Sequence, residues 1–131
     1  MIGFATTVLE RYLMQDDPRQ SARATPLIES LTPEAHGHLP LVAMVELLWA
    51  PLGGHALSRA QVATVLDILL RRKELVVDRA GLVIQTLQRF SAGNADFADA
   101  LIERIANAAG CKATMSFDMG AVKAGSMTLV P

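Results

Sequence analysis

The sequence predicts a three-layer α/β/α fold with a central, mainly parallel sheet. Three features point there. Short apolar runs of strand length alternate with longer stretches of helical period, as in Glu74-Leu75-Val76-Val77 after the helix-patterned Arg59 to Arg72. Caps and breakers separate the segments. No internal repeat or linker divides residues 1–131, so the whole chain reads as a single domain.

Each element has a local reason. Residues 1–5 are short and apolar, which suits a buried first strand. Val8, Leu9, Tyr12 and Leu13 then make one apolar helix face. Asp16-Asp17-Pro18 reads as a cap with proline at the first helical position, and the helix it opens runs to about Ser30. Pro26 inside it should kink or shorten it, because proline lacks the amide hydrogen the ladder needs. His36-Gly37-His38-Leu39-Pro40 is a loop with a short second strand, and Leu41 to Trp49 is an apolar helix ended by Pro51 and Gly53-Gly54. Ser58 caps Arg59 to Arg72, with Val62, Val65, Leu66 and Leu69 on one side. After the strand at 74–77, Asp78 caps a helix to about Ala92, and another runs from about Asp96 to Ala109 with Gly110 as its C-terminal glycine. Ala113 to Phe117 makes a strand, and Met127 to Val130 adds an edge strand.

Composition narrows the function. Hydrophobic residues make up 51%, enough to offset chain entropy, yet no apolar run approaches the roughly 20 residues of a membrane span. The opening Met-Ile-Gly-Phe-Ala lacks a basic start followed by a hydrophobic signal region, and the one cysteine, Cys111, allows no internal disulfide, so a cytoplasmic location is expected. A formal net charge of −1 argues against a protein that coats nucleic acid non-specifically, though not against a local basic groove. Arg71-Arg72-Lys73 is the densest basic cluster and fits a helix C-terminus.

The acids carry the functional argument. Glu46 interrupts Met44-Val45-Glu46-Leu47-Leu48-Trp49, Asp96 and Asp99 open the apolar helix Ala95-Asp96-Phe97-Ala98-Asp99-Ala100-Leu101-Ile102, and Asp118 follows Ser116-Phe117. A buried carboxylate needs a partner or a metal. Each also has a plain structural role: Glu46 solvated at a helix edge, Asp96 as an N-cap with Asp99 at the third helical position, Asp118 starting a turn. In a parallel sheet, ligands bind outside the carboxyl ends of the strands, where such acids can converge.

In order and spacing these motifs resemble those of PIN-domain proteins, especially VapC toxins. The opening Met-Ile-Gly-Phe-Ala-Thr-Thr-Val-Leu-Glu-Arg-Tyr-Leu and Gln15-Asp16-Asp17-Pro18 extend the resemblance over essentially the whole chain. It implies a PIN-like fold and an endoribonuclease toxin dependent on Mg²⁺ or Mn²⁺, with Glu46, Asp99 and Asp118 holding metal directly or through water and Asp96 as an auxiliary acid. Hard divalent cations prefer such oxygen ligands. The resemblance further implies an RNA substrate, a homodimer, and a VapB-like antitoxin whose C-terminal segment covers the active groove.

The chain departs from the family at one point. Where the pattern has Asp-Thr-Asn or similar after the first strand, this sequence has Ala5-Thr6-Thr7. Thr6 keeps a hydroxyl and Thr7 offers a weak polar contact, but neither replaces the lost charge. Ala5 is either a natural loss or a change introduced to disarm a toxic enzyme; the drifted neighbours Phe4 and Glu10 favour the first. The reading is therefore a ribonuclease with weakened metal binding. The alternative is an inactive PIN-fold binding module that keeps dimer and antitoxin contacts. A receiver domain with an acid pocket fits less well, because its acids fall in another order.

Other features have simpler readings. His36, His38 and His55 lack a full zinc ligand set, Cys111 is expected in a buried strand, and no Gly-rich phosphate loop or nucleophile elbow occurs. Trp49, Leu48, Leu52, Tyr12 and Leu13 are core candidates, some of them available for self-association or an antitoxin helix.

Overall fold

A computed structural model describes residues 1–49 and 57–131. Pro51, Leu52, Gly53-Gly54 and His55, and the readings attached to them, lie outside the described residues. The fold is mixed α/β. Among the described residues, helices alternate with short strands, and every pairing between those strands is parallel. The chain divides into two compact units, Met1–Ala80 and Gly81–Pro131.

The first unit contains β1 (Ile2–Gly3), α1 (Thr6–Met14), α2 (Pro18–Glu29), β2 (Gly37–Leu39), α3 (Leu41–Trp49), α4 (Arg59–Arg71) and β3 (Leu75–Val77). The strands form one parallel sheet with β2 central, in the register Ile2 to Gly37, and Gly37 to Leu75. Leu9, Ile28, Leu39, Met44, Leu47, Leu66 and Leu69 are fully buried, so α1 to α4 each contribute their apolar stripe to one core. Gly37 is required by close packing, because a Cβ there would overlap the Phe4 ring and crowd Leu31. That contact fixes Phe4 at the end of β1, one residue before Ala5.

The caps are specific. Asp17 accepts from the amides of Arg19 and Gln20, with Pro18 first in the helix. Despite Pro26, α2 runs on to Glu29, since only one ladder bond is lost so near the helix end. Ser58 and Gln61 form a reciprocal capping box on α4. The basic cluster after it serves the fold: Arg71 pairs with Asp67 at 2.9 Å, and Arg72 donates to the Tyr12 hydroxyl at 3.1 Å.

Two expectations change here. Asp78 does not cap α5 (Ala80–Ala92), which starts two residues later, after Arg79 at φ 51°. Its carboxylate instead accepts from the Leu41 amide at 3.4 Å, at the start of α3. The residue before α3 is Pro40, whose side chain has no acceptor, so the adjacent strand end supplies one. Trp49 is not core: it is 69% exposed at the end of α3, whereas Leu48 beside it is buried. Tyr12 and Leu13 are half-buried.

The second unit contains the remainder of α5, then α6 (Phe97–Ala108), β4 (Met115–Ser116), α7 (Met119–Lys123) and β5 (Thr128–Leu129). Here β4 and β5 pair in parallel, joined through α7. The Phe90 and Phe97 rings meet edge to face at 5.7 Å, and with Val83, Ala100, Leu101 and Ala121 they form the buried interior. Gly110, at φ 92°, ends α6 where an L side chain would be strained. Cys111 follows it exposed and outside any strand, because the chain is still turning there.

Candidate acidic site

In the first unit, the carboxyl ends of β1 and β2 lead to the predicted positions. Ala5 directly follows Phe4 beyond β1. It is the N-cap of α1, with extended backbone angles (φ −79°, ψ 162°) and no side-chain hydrogen bond to the helix. Thr6 and Thr7 are the first two residues of α1. Glu46 lies on α3, which follows β2.

The Thr6 hydroxyl lies 3.1 Å from Glu46 Oε2 and 3.4 Å from the Ala43 carbonyl. A hydroxyl has one hydrogen, and the shorter, charged acceptor takes it. Thr6 therefore orients Glu46. A cleft of about 350 Å³ opens beside them, lined by Phe4, Ala5, Thr6, Thr7, Pro40, Val42, Ala43 and Glu46. Glu46 is the one charged group in its lining and is exposed, which fits the solvated helix-edge reading of this residue. Its position on α3 explains this: Val42, Glu46 and Trp49 share the helix's exposed stripe, while Ala43, Met44, Leu47 and Leu48 turn inward.

In the second unit, Asp96 is the N-cap of α6 and accepts from the Asp99 amide at 3.1 Å. Asp99 is the third residue of that helix. Asp118 is the N-cap of α7, a helix the sequence reading had not separated from the turn, and its Oδ1 accepts from Gly120 at 2.8 Å and Ala121 at 3.3 Å. Asp96 and Asp118 are exposed and Asp99 is half-buried. The capping roles use one oxygen of each N-cap aspartate, leaving the other for an additional partner.

Asp99 differs from the other two. Its carboxyl is pushed above the usual carboxylate range, first by burial, then by the charges of Asp96 and Asp118. Nothing basic offsets these effects among the described residues. Elsewhere on α6, Glu103 is held below that range chiefly by its hydrogen bond to Arg104, with the charges of Arg104 and Arg89 adding to it. One helix thus carries an acid cluster without a cation at its start and a compensated acid a turn later.

The structure brings Thr6 to Glu46 within the first unit, and Asp96 and Asp118 to the neighbourhood of Asp99 within the second. Among the described residues, no group of three or more His, Cys, Asp or Glu side chains is arranged to hold one metal ion. The donor chemistry around Asp99 nevertheless suits a hard cation, which commonly takes one or two carboxylates and fills its remaining positions with water. Thr6 is the residue whose role the sequence understated. A hydroxyl at the first position of a helix signals such a contact only once the neighbouring helix is placed. No protein-family model matches the chain, and no curated protein matches it either.

Proposed function

We propose that the chain is a PIN-type, metal-dependent endoribonuclease of the VapC toxin kind, with a three-layer sheet arrangement, weakened by Ala5. The observation that carries this reading is Asp99: a half-buried carboxylate near Asp96 and Asp118, with no basic group offsetting them among the described residues. Like charges held together in a folded chain favour a bound divalent cation. Asp99 and Asp118 would hold Mg²⁺ or Mn²⁺ with water, and Asp96 fixes the start of α6 and adds negative charge. When bound, the ion would polarise a phosphodiester and make a water more acidic. Thr6 holds Glu46 in place, and Glu46 is assigned to the same reaction. RNA is the substrate, and a homodimer and a VapB-like antitoxin are the partners this reading carries with it, in the cytoplasm. No helix among the described residues is long and apolar enough to cross a membrane.

The test is RNA hydrolysis with Mg²⁺ or EDTA, for this chain and for Ala5→Asp. Ala5→Asp should be faster with Mg²⁺ and inactive in EDTA. In that background Glu46→Gln, Asp99→Asn and Asp118→Asn should each slow cleavage by about 10²–10³, as for other charge-stabilising groups. Paired changes should cost little more than single ones, since residues serving one reaction are not additive. Cleavage that survives EDTA, or is indifferent to these changes, would sink the reading.

The second reading is a PIN-fold binding module without catalysis. Ala5 favours it, as do the exposed Val42 and Trp49 flanking Glu46 on α3, at 69% exposure each. Apolar side chains around a lone acid suit a protein interface as well as a catalytic groove.

A further inference from the structure

A groove of about 540 Å³ lies between α1 and α2, within the range of about 300–1,000 Å³ typical of sites for organic ligands. Thr7, Val8, Arg11, Gln20, Arg23, Ala24 and Leu27 line it. The lining carries two guanidinium groups and no carboxylate. Arg11 is engaged: it donates to Gln20 at 2.6 Å and pairs with Glu10 and Asp16, both at 3.2 Å. Arg23 is exposed, with no ion pair or side-chain hydrogen bond among the described residues. Thr7 lines both this groove and the cleft that holds Glu46. The two hollows are therefore neighbours, one lined by a carboxylate and the other by two guanidinium groups, of which Arg11 is paired with acids outside the lining.

We infer that the α1–α2 groove binds the sugar–phosphate backbone of single-stranded RNA flanking the scissile position, with Arg23 as its phosphate contact. This rests on the ribonuclease reading. A guanidinium suits a phosphate through its fork of donors, and an uncompensated one has no competing acid to displace. Val8, Ala24 and Leu27 give the groove an apolar wall against which a ribose or base face can lie. An acidic amphipathic peptide is the competing occupant. The groove adjoins, through Thr7, the cleft that holds Glu46, a residue the ribonuclease reading assigns to the reaction, and this favours the nucleic acid.

Binding of a fluorescent single-stranded RNA, measured by anisotropy in EDTA over a salt series, tests this apart from catalysis. Arg23→Gln should weaken binding several-fold at low salt and reduce the slope of log Kd against log salt by about 0.7, the value of one single-strand phosphate contact. Arg23→Lys should keep the slope, and Arg71→Gln, outside the groove, should behave as the parent chain. Unchanged melting temperatures would show that the exposed substitutions leave folding intact. RNA binding with the same slope in Arg23→Gln overturns the inference alone. So does a defect confined to a Leu/Glu-rich amphipathic peptide run in parallel. No RNA binding by the parent chain, together with no Mg²⁺-dependent cleavage by Ala5→Asp, overturns the ribonuclease reading with it.

Discussion

Placing an acid at position 5 should do two separable things. Ala5 already has the extended backbone of an N-cap but lacks a side chain able to accept from the first-turn amides of Thr7 and Val8. Either Ala5→Asn or Ala5→Asp supplies that acceptor, worth about 0.5–2 kcal/mol of stability. The aspartate adds about 0.3–1 kcal/mol through the helix dipole. Repulsion from Glu46 opposes it, but between exposed, screened carboxylates this is below about 1 kcal/mol. In EDTA both variants should therefore be more stable than the parent, by similar amounts. Mg²⁺ should then divide them: at about ten times its Kd a ligand adds about 1.4 kcal/mol, and only the aspartate gains it. Urea denaturation of the three chains, with and without Mg²⁺, reads both effects. Loss of stability in EDTA would refute the capping argument. An equal Mg²⁺ response from Asn and Asp would refute position 5 as a ligand position.

Three further outcomes follow from the packing and charges. Gly37→Ala should destabilise the chain by about 1–3 kcal/mol in denaturant unfolding, because the added methyl meets the Phe4 ring and Leu31 in a filled core. Ser58→Ala removes half of the capping box on α4 and should cost about 1 kcal/mol in the same measurement. Asp99 holds its proton more tightly folded than unfolded, so its contribution makes stability fall as pH rises from the ordinary carboxylate value through the raised folded one. Asp99→Asn should abolish that fall in a pH series of unfolding midpoints, and an unchanged pH profile would show that the carboxylate is not strained. Glu103, shifted the other way, should lose stability as pH falls through its lowered value.

Much of the fold was legible because its signals are local. Ser58, Asp17-Pro18 and Asp96 each announce a helix start by a side chain that reaches its own backbone, and the structure places α4, α2 and α6 there. Asp78 misled because a capping residue looks the same whether it serves the next helix or one reached across the sheet. Trp49 misled because hydrophobicity does not say which side of α3 turns outward, and Cys111 because a residue after a helix terminus continues as turn or strand on contacts distant in sequence. The site divides in the same way. The sequence placed Asp96 and Asp99 at a helix start but read Asp118 as the start of a turn, because the five-residue α7 is too short to leave a helical period. The Thr6–Glu46 bond joins residues 40 apart, and the Arg23 groove depends on how α1 meets α2; neither leaves a mark in a single stretch of sequence.

A divalent cation is predicted to bind at the Asp99 carboxylate, whose neighbouring acids are uncompensated among the described residues. Titrating Mn²⁺ into Ala5→Asp and into its Asp99→Asn derivative, with bound ion followed by electron paramagnetic resonance, asks this without reference to any substrate. Saturable binding that is displaced by Mg²⁺ and lost in the Asp99→Asn derivative is the predicted result. No bound ion in either chain, or equal binding in both, would contradict it.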